Sequence, residues 1–437
     1  MIKINPNTND AYRLLHEGTL ALARAEQVGI RIDMGYVENK RVFLTKKIDR
    51  LESKFKESDF YRHWFHSLGD KEPNVYSNAQ LARFLYKVKK IEITDTTISG
   101  QGSTDEDALT QLNIPELNDL LVIRKLKKVR DTYLDSFIRE QVDGVLHPSF
   151  NLHLVRTYRS SADRPNLQNI PKRDKEAMLI CRKALFGKPG HLLMEADYGS
   201  LEVKICCAYH KDPTMLKYMH DPTSDMHKDM GQQIFLLDTL NRKLPEHKTL
   251  RDATKNGFVF PQFYGDYYKN CAKNLAVRWG KLPEGKWKTG QGISMPEGSF
   301  LSDHLIEKGI KSYTAFEKHI QDIENDFWRR RFPEYDRWKN KWFKKYQHMG
   351  YTDSLTGFRF QGVMSKNDTI NYPVQSSAFH VLLRSFILLD ELIVREGLNS
   401  RLVGQIHDSL LISVDPEEKD YLARAILKIT TVDVPKE

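Results

Sequence analysis

Cysteine is scarce in this 437-residue chain: Cys181, Cys206, Cys207 and Cys271 are the only four, and no two form a Cys-x-x-Cys pair. That excludes a thiolate zinc site of ordinary spacing and a scaffold stapled by disulfides. Cys206 and Cys207 are adjacent inside an apolar run and are expected to be plain buried thiols. No stretch of about 18 apolar residues occurs, so no membrane-spanning helix is expected. The N-terminal MIKINPNTND lacks the apolar segment of a secretory leader. Internal repeats and low-complexity tracts are missing as well, which excludes a solenoid.

The composition suits a folded, multi-unit protein. At 40% hydrophobic residues there is material for real cores, and the length predicts roughly three compact units. Lys and Arg outnumber Asp and Glu by 67 to 58, a net charge of +9. The excess suits a polyanionic partner without requiring one.

Periodicity predicts a largely helical chain with short strands. Residues 11–28 carry apolar side chains at helical spacing, and GIRID follows as a short strand and turn. Residues 34–67 are helical, with Val42, Leu44, Ile48 and Leu51 as the apolar positions. Ser77-Asn78 and Asp105 open further helices. Residues 93–104 are a polar loop, and 144–170 are short strands and loops. Residues 315–348 are helical and rich in Trp and Tyr. LLMEAD at 192–197 reads as a buried strand ending in carboxylates. LVGQIHDSLLISV at 402–414 reads as two strands around a tight turn. The basic run RKLKKVR at 124–130 is either a solvated helix face or a helix that tracks phosphates.

Three places could carry chemistry. Asp197 sits at the end of an apolar strand, followed by Tyr198-Gly199-Ser200 and a helix. Asp408 sits in a turn between two apolar strands. Each alone reads equally well as a cap or a turn residue. Together, at the tips of strands of one sheet, they could share divalent cations, and two metals about 3.5–4 Å apart would clamp the oxygens of a phosphoryl transfer. The third place is RDATKNGFVFPQFYGD, 251–266. Arg251 and Lys255 are four apart, as are Phe260 and Tyr264, so one helix could offer cations to a triphosphate and aromatics to a base.

Taken together, the motifs resemble those of the family A DNA polymerases, the bacterial DNA polymerase I type, with phage members the most similar. DYGSLEVK (197–204), the 251–265 segment and QIHDS (405–409) resemble motifs A, B and C. RSSADRPNLQNIP (159–171), NYPVQSSA (371–378), DMH (225–227), FPEYDRW (332–338) and YTDSLTGFR (351–359) resemble further family segments in the family's order.

The resemblance implies an α+β, right-hand polymerase fold: an antiparallel palm sheet surrounded by helices, with fingers and thumb. It implies a palm-associated segment at 1–36, a thumb at 37–150, palm at 151–212, fingers at 213–350 and palm again at 351–437. It implies template-directed addition of deoxynucleoside triphosphates to the 3′ end of a primer. Asp197 and Asp408 would bind two Mg²⁺, for which Mn²⁺ could substitute, with the Tyr198 carbonyl as a further ligand. Arg251, Lys255 and His227 would meet the incoming phosphates. Phe260 would pack on the sugar and, as Phe rather than Tyr, would discriminate against dideoxynucleotides. Tyr264 would stack near the template base, and Glu202 would crowd the sugar 2′ position. Arg159, Gln375 and His407 would touch the minor groove or primer end, as would Asn166, Gln168 and Asn371; minor-groove acceptors are alike for all base pairs, so such contacts check shape rather than sequence. The 124–130 run would hold duplex phosphates. The partners implied are primer-template DNA, dNTPs and a separate exonuclease or accessory replication protein, with no membrane, in the cytoplasm of a bacterium or a phage-infected host.

The chain also departs from the family pattern. Lys255 and Phe260 are five apart where four is typical, which at 100° per residue turns them about 140° from each other. A π-bulge near 256–261, where Pro261 lacks an N–H, would restore the shared face. Ser409 stands where a Glu is common. Residues 266–330 are long for the family and imply an insertion in the fingers. No acidic motif set for a 3′–5′ exonuclease is found. The stop at TTVDVPKE is short of the family's usual last strand and fits a fragment or part of a split polymerase. The rival readings are another two-metal enzyme such as a nuclease, a single-subunit RNA polymerase, and a DNA-binding fragment without catalysis.

Overall fold

The computed structural model describes residues 7–436 apart from 94, 95, 98, 99, 113, 172, 173, 222 and 297. The first six residues of the N-terminal stretch, and parts of the 93–104 loop, therefore lie outside the described residues.

Helices dominate, and every paired strand is antiparallel. The chain divides into two compact units where length alone suggests three. The first holds residues 1–201, 355–358 and 375–437; the second holds 202–354 and 359–374. The helix Lys366–Arg395 contributes to both units.

The first unit contains two hydrophobic cores. One is built mainly from the helices between Met34 and Glu140, around Trp64, Phe84, Leu120 and Phe137. The other gathers Leu22, Leu382, Phe386 and Leu422. The hairpin Arg401–Ile406 and Ser409–Val414 joins them. Alternate side chains of a strand point to opposite faces. With the register shift between Leu402 and Gly404, this sends Val403, Ile406 and Leu411 into the first core and Leu402, Leu410 and Ile412 into the second. Apolar burial on both faces explains why 402–414 reads as continuous hydrophobic runs, and why two cores form one unit.

Side-chain caps mark several helix starts. Asp33, Ser58, Ser77, Asp105 and Asp174 each cap a helix by accepting a backbone N–H with the side chain. The 34–67 region is two helices, Met34–Lys56 and Asp59–Ser67, broken at the Ser58 cap. Its buried face is Val37, Leu44, Ile48 and Phe55. Val42, expected among the apolar positions, is instead 51% exposed. Gly18 lets the helix Thr8–Val28 approach closely: a Cβ there would stand 2.8 Å from the Leu383 side chain. All four cysteines are free and buried, as expected of Cys206 and Cys207. Among the described residues, no helix is long and apolar enough to cross a membrane.

The second unit has one core, including Phe258, Leu275, Phe316, Phe327 and Tyr335. Among its described residues the 281–300 stretch contains no helix, yet Trp287 and Met295 within it belong to that core. The aromatic richness of 315–348 is explained by a cluster in which Trp328 meets Tyr335 edge-on and Tyr335 stacks on His210 at 4.2 Å.

Candidate active site

The three-stranded sheet of the first unit runs Arg401–Ile406, Ser409–Val414, Leu192–Asp197 in spatial order. Its register is set by apolar residues that must face the two cores. That register pairs Ser409 with Asp197 and Leu411 with Glu195. Ile406 faces Ser409 across a two-residue turn made of His407 and Asp408. His407 adopts the left-handed region at φ 53°, which a non-glycine residue rarely does. One bond beyond the ladder, Tyr198 N donates to the Asp408 carbonyl at 3.1 Å. Asp197 and Asp408 are thus diagonal neighbours at the tips of paired strands; strand spacing and rise place their backbones about 6 Å apart. Asp197 is exposed and Asp408 half-buried.

Side chains fix this edge. Tyr198 is anchored by a 2.7 Å hydrogen bond with Ser385, and burial raises its phenol pKa. Gln168 braces the turn: its Oε1 accepts the His407 N–H at 2.6 Å, and its Nε2 donates to Gln405 Oε1 at 3.0 Å. Ser160 Oγ donates to the same Gln405 oxygen at 2.7 Å. The 159–168 segment therefore lies against the hairpin, with Arg159 half-buried beside Ser160 and Asn166 exposed just before the short helix Leu167–Asn169. Gln375 is half-buried on the helix Lys366–Arg395 of the same unit.

In the second unit the segment 245–263 is one continuous helical run with a change of winding inside it. The helix Pro245–Thr254 passes into π-winding over Lys255–Val259 and then into Phe260–Phe263. The Phe260 N–H donates to the Lys255 carbonyl, five residues back. The irregularity expected from the spacing is present, and its consequence follows: Lys255 Nζ lies 5.2 Å from the centroid of the Phe260 ring. π-winding also occurs at Arg83–Val88, Val129–Leu134, Asn274–Trp279, Phe327–Arg331 and Ile429–Asp433. It is thus not a mark of function by itself; its position between Lys255 and Phe260 is what matters.

Neighbours of this run are tied together. Asp225 caps the helix Met226–Ile234 and accepts two bonds from Arg251, at 2.8 and 3.0 Å. Both side chains are largely buried, 16% and 14% exposed for Arg251 and Asp225. Burial opposes the Asp225 charge, but the Arg251 bonds and the Lys228 N–H outweigh it and hold the carboxyl below its ordinary range. His227 meets Phe260 edge-on at 5.7 Å, and its buried Nδ1 has no hydrogen-bond partner. Burial, then Arg251, lowers its pKa to about 4, so it is neutral at pH 7. Tyr264, exposed, donates its hydroxyl to Glu202 at 2.5 Å. Asn371 Nδ2 lies 3.5 Å from the Tyr264 carbonyl.

The 124–130 run is mostly engaged internally. Arg124 donates to the Val75 carbonyl at 2.8 Å, Lys125 pairs with Asp174 at 2.9 Å, and Lys127 and Arg130 pair with Asp131 at 2.9 and 2.6 Å. Lys128 remains exposed. Sequence reading missed the partners that organise these sites: Asp225 for Arg251, Glu195 for Ser409 and Gln405 for Gln168. The only available signal was that Asp225 and Gln405 fall inside the motifs.

The donor set fits a hard divalent cation. Among the described residues no group of three or more His, Cys, Asp or Glu side chains converges. A pair of carboxylates at a strand edge is what Mg²⁺ accepts, since it keeps several waters and takes its remaining ligands from substrate phosphates.

The fold is shared with the POL domain of Pol1 from M. smegmatis, solved in complex with DNA primer-template and dNTP. The TM-score is 0.73 at 24% identity, covering 95% of this chain and 66% of that one. A family model described as DNA polymerase family A matches residues 43–285, more than half of the sequence, and the chain belongs to that family. Curated relatives include DNA polymerase I of Aquifex aeolicus, 27% identical over 93% of this chain and 61% of the relative. The thermostable DNA polymerase I of Thermus filiformis is 27% identical over 93% and 44%, and DNA polymerase I of Geobacillus stearothermophilus 23% over 93% and 42%. The chain thus spans only part, 42 to 61%, of the length of these relatives.

Proposed function

We propose that this chain is the synthetic core of a DNA-directed DNA polymerase, adding deoxynucleotides to a primer 3′ end on a template. The observation that carries this is the register that brings Asp197 and Asp408 to the tips of neighbouring strands. In this reading the three-stranded sheet is the palm. The helices between Met34 and Glu140 are the thumb, and the second unit holds the fingers.

Asp197, Asp408 and the Tyr198 carbonyl would hold two Mg²⁺, or Mn²⁺. Bound there, such ions supply positive charge that activates the primer hydroxyl and neutralises the pyrophosphate as it leaves. Lys255 is the cation best placed to meet the phosphates from the Phe260 face. Arg251, held by Asp225, would act on that face from its fixed position, and neutral His227 would offer a hydrogen bond rather than charge. Phe260 would pack on the sugar and Tyr264 near the template base. Glu202, oriented by Tyr264, would crowd a ribose 2′-hydroxyl. Arg159, Asn166, Gln168 and His407 would line the minor groove beside the catalytic turn, with Gln375 joining that surface and Asn371 offering a like contact from the second unit. Synthesis alone is assigned to this chain; proofreading and accessory roles would belong to other segments or polypeptides.

Primer extension with dNTPs or rNTPs, for the parent and an Asp408→Ala variant, tests the proposal. Extension with dNTPs that falls by about 10³-fold in the variant supports it. Extension that survives undiminished in the variant, cleavage without extension, or a preference for rNTPs overturns it.

A further inference from the structure

Ser409 opens the strand just after the catalytic turn, where the resemblance leads one to expect a Glu. A carboxylate is nevertheless present at this place, carried by the facing strand. Glu195 and Ser409 are diagonal neighbours on one face of the sheet, since Asp197 pairs with Ser409 and Leu411 pairs with Glu195. Diagonal pairs lie within reach of long side chains. The Ser409 hydroxyl stands 2.9 Å from Glu195 Oε1, with the Ile406 carbonyl 2.8 Å away as its alternative acceptor. The other Glu195 oxygen takes a hydrogen bond from Arg182 Nη1. Arg182 is three-quarters buried, and its Nε has no hydrogen-bond partner.

Resting on the polymerase reading, we propose that Glu195 is a positioning residue for the metal-binding edge, supplying across the strands the carboxylate that Ser409 does not carry. Two effects follow from its contacts. It ties the strand that ends in Asp197 to the residue that follows Asp408, so the two aspartates keep one spacing. It also neutralises Arg182, the last residue of the helix Lys175–Arg182, whose guanidinium would otherwise compete with a divalent ion for the aspartate carboxylates. Glu195 is not placed as a ligand: no third acidic group converges with the pair among the described residues. Such outer partners of metal ligands change affinity or activity by about 10- to 100-fold when removed.

The test uses the full chain and three variants: Glu195→Gln, Ser409→Glu, and the reciprocal exchange Glu195→Ser with Ser409→Glu. Mn²⁺ affinity is measured by calorimetry without DNA, and primer extension is resolved into kcat and KM for dNTP. Glu195→Gln should weaken Mn²⁺ binding about 10-fold and lower kcat similarly, with KM for dNTP unchanged. The reciprocal exchange should recover most of both losses, because the carboxylate returns to the same place from the other strand. Unchanged Mn²⁺ affinity in Glu195→Gln would overturn the proposal, as would a loss that the exchange fails to recover. If the parent chain extends no primer, the polymerase reading fails, and the Mn²⁺ series alone still decides the role of Glu195.

Discussion

The two units present chemistry on different supports. In the first, Asp408 follows a strand whose apolar side chains are buried on both faces, whereas Asp197 ends a strand that the backbone ladder holds and that is half-buried to exposed, not buried as LLMEAD suggests. In the second, Lys255, Phe260 and Tyr264 project from a helical run whose facing depends on one turn of π-winding. A one-residue shift of the hairpin ladder would exchange the side chains that fill the two cores, so its register is strongly held. A helix can absorb one residue locally, so its facing is adjustable. The same contrast holds for cations. Most of the 124–130 run is spent on pairs that brace the first unit, while Lys255 leans on an aromatic ring.

The comparison can be broken at several points. Asp408→Ala should reduce primer extension by about 10³-fold, roughly three steps of 1.4 kcal/mol, in single-turnover assays. Asp225→Asn leaves the buried Arg251 guanidinium with only the longer 3.6 Å contact to Asp252 as counter-charge and should cost about 3 kcal/mol in urea unfolding. An alanine inserted after Asn256 exceeds what one π-turn absorbs and should raise KM for dNTP by about 10²-fold. Deleting Asn256 should restore α-winding with the shared face intact and leave KM within about threefold. Retained activity in the insertion variant would refute the role given to that turn.

Acid sharpens the contrast further. His227 is neutral in the folded chain, with its pKa lowered from 6.5 to about 4, so the unfolded chain takes up a proton first as pH falls. Stability from this group is full above pH 6.5 and is lost between 6.5 and about 4. The Asp225 contribution is full above the ordinary carboxylate pKa, about 3.9, and is lost as pH falls through its depressed value. Urea midpoints against pH should therefore flatten between pH 4 and 6.5 in His227→Gln. The smallest effect is expected for Tyr264→Phe. It removes one hydrogen bond from Glu202, worth about 1 kcal/mol, and should raise ribonucleotide incorporation by a few fold.

Periodicity and capping made the helices and the 402–414 hairpin legible, and the Lys255–Phe260 spacing made even the π-turn legible. The Arg251–Asp225 pair was not, because twenty-six residues separate its members and no local pattern requires them to meet. Nor was the Gln168 brace on His407, which spans the chain. Val42 was misplaced because helical spacing permits more than one apolar stripe, and only packing against a neighbour chooses among them.

The amino-acid order by itself determined which segments are strands and helices, where they start, and that two aspartates end apolar strands, since burial periodicity and capping are local. Only the folded chain decided that those strands pair in a register placing Asp197 beside Asp408, and which charges are consumed by partners. Those outcomes depend on contacts between residues far apart in sequence, which no local spacing encodes.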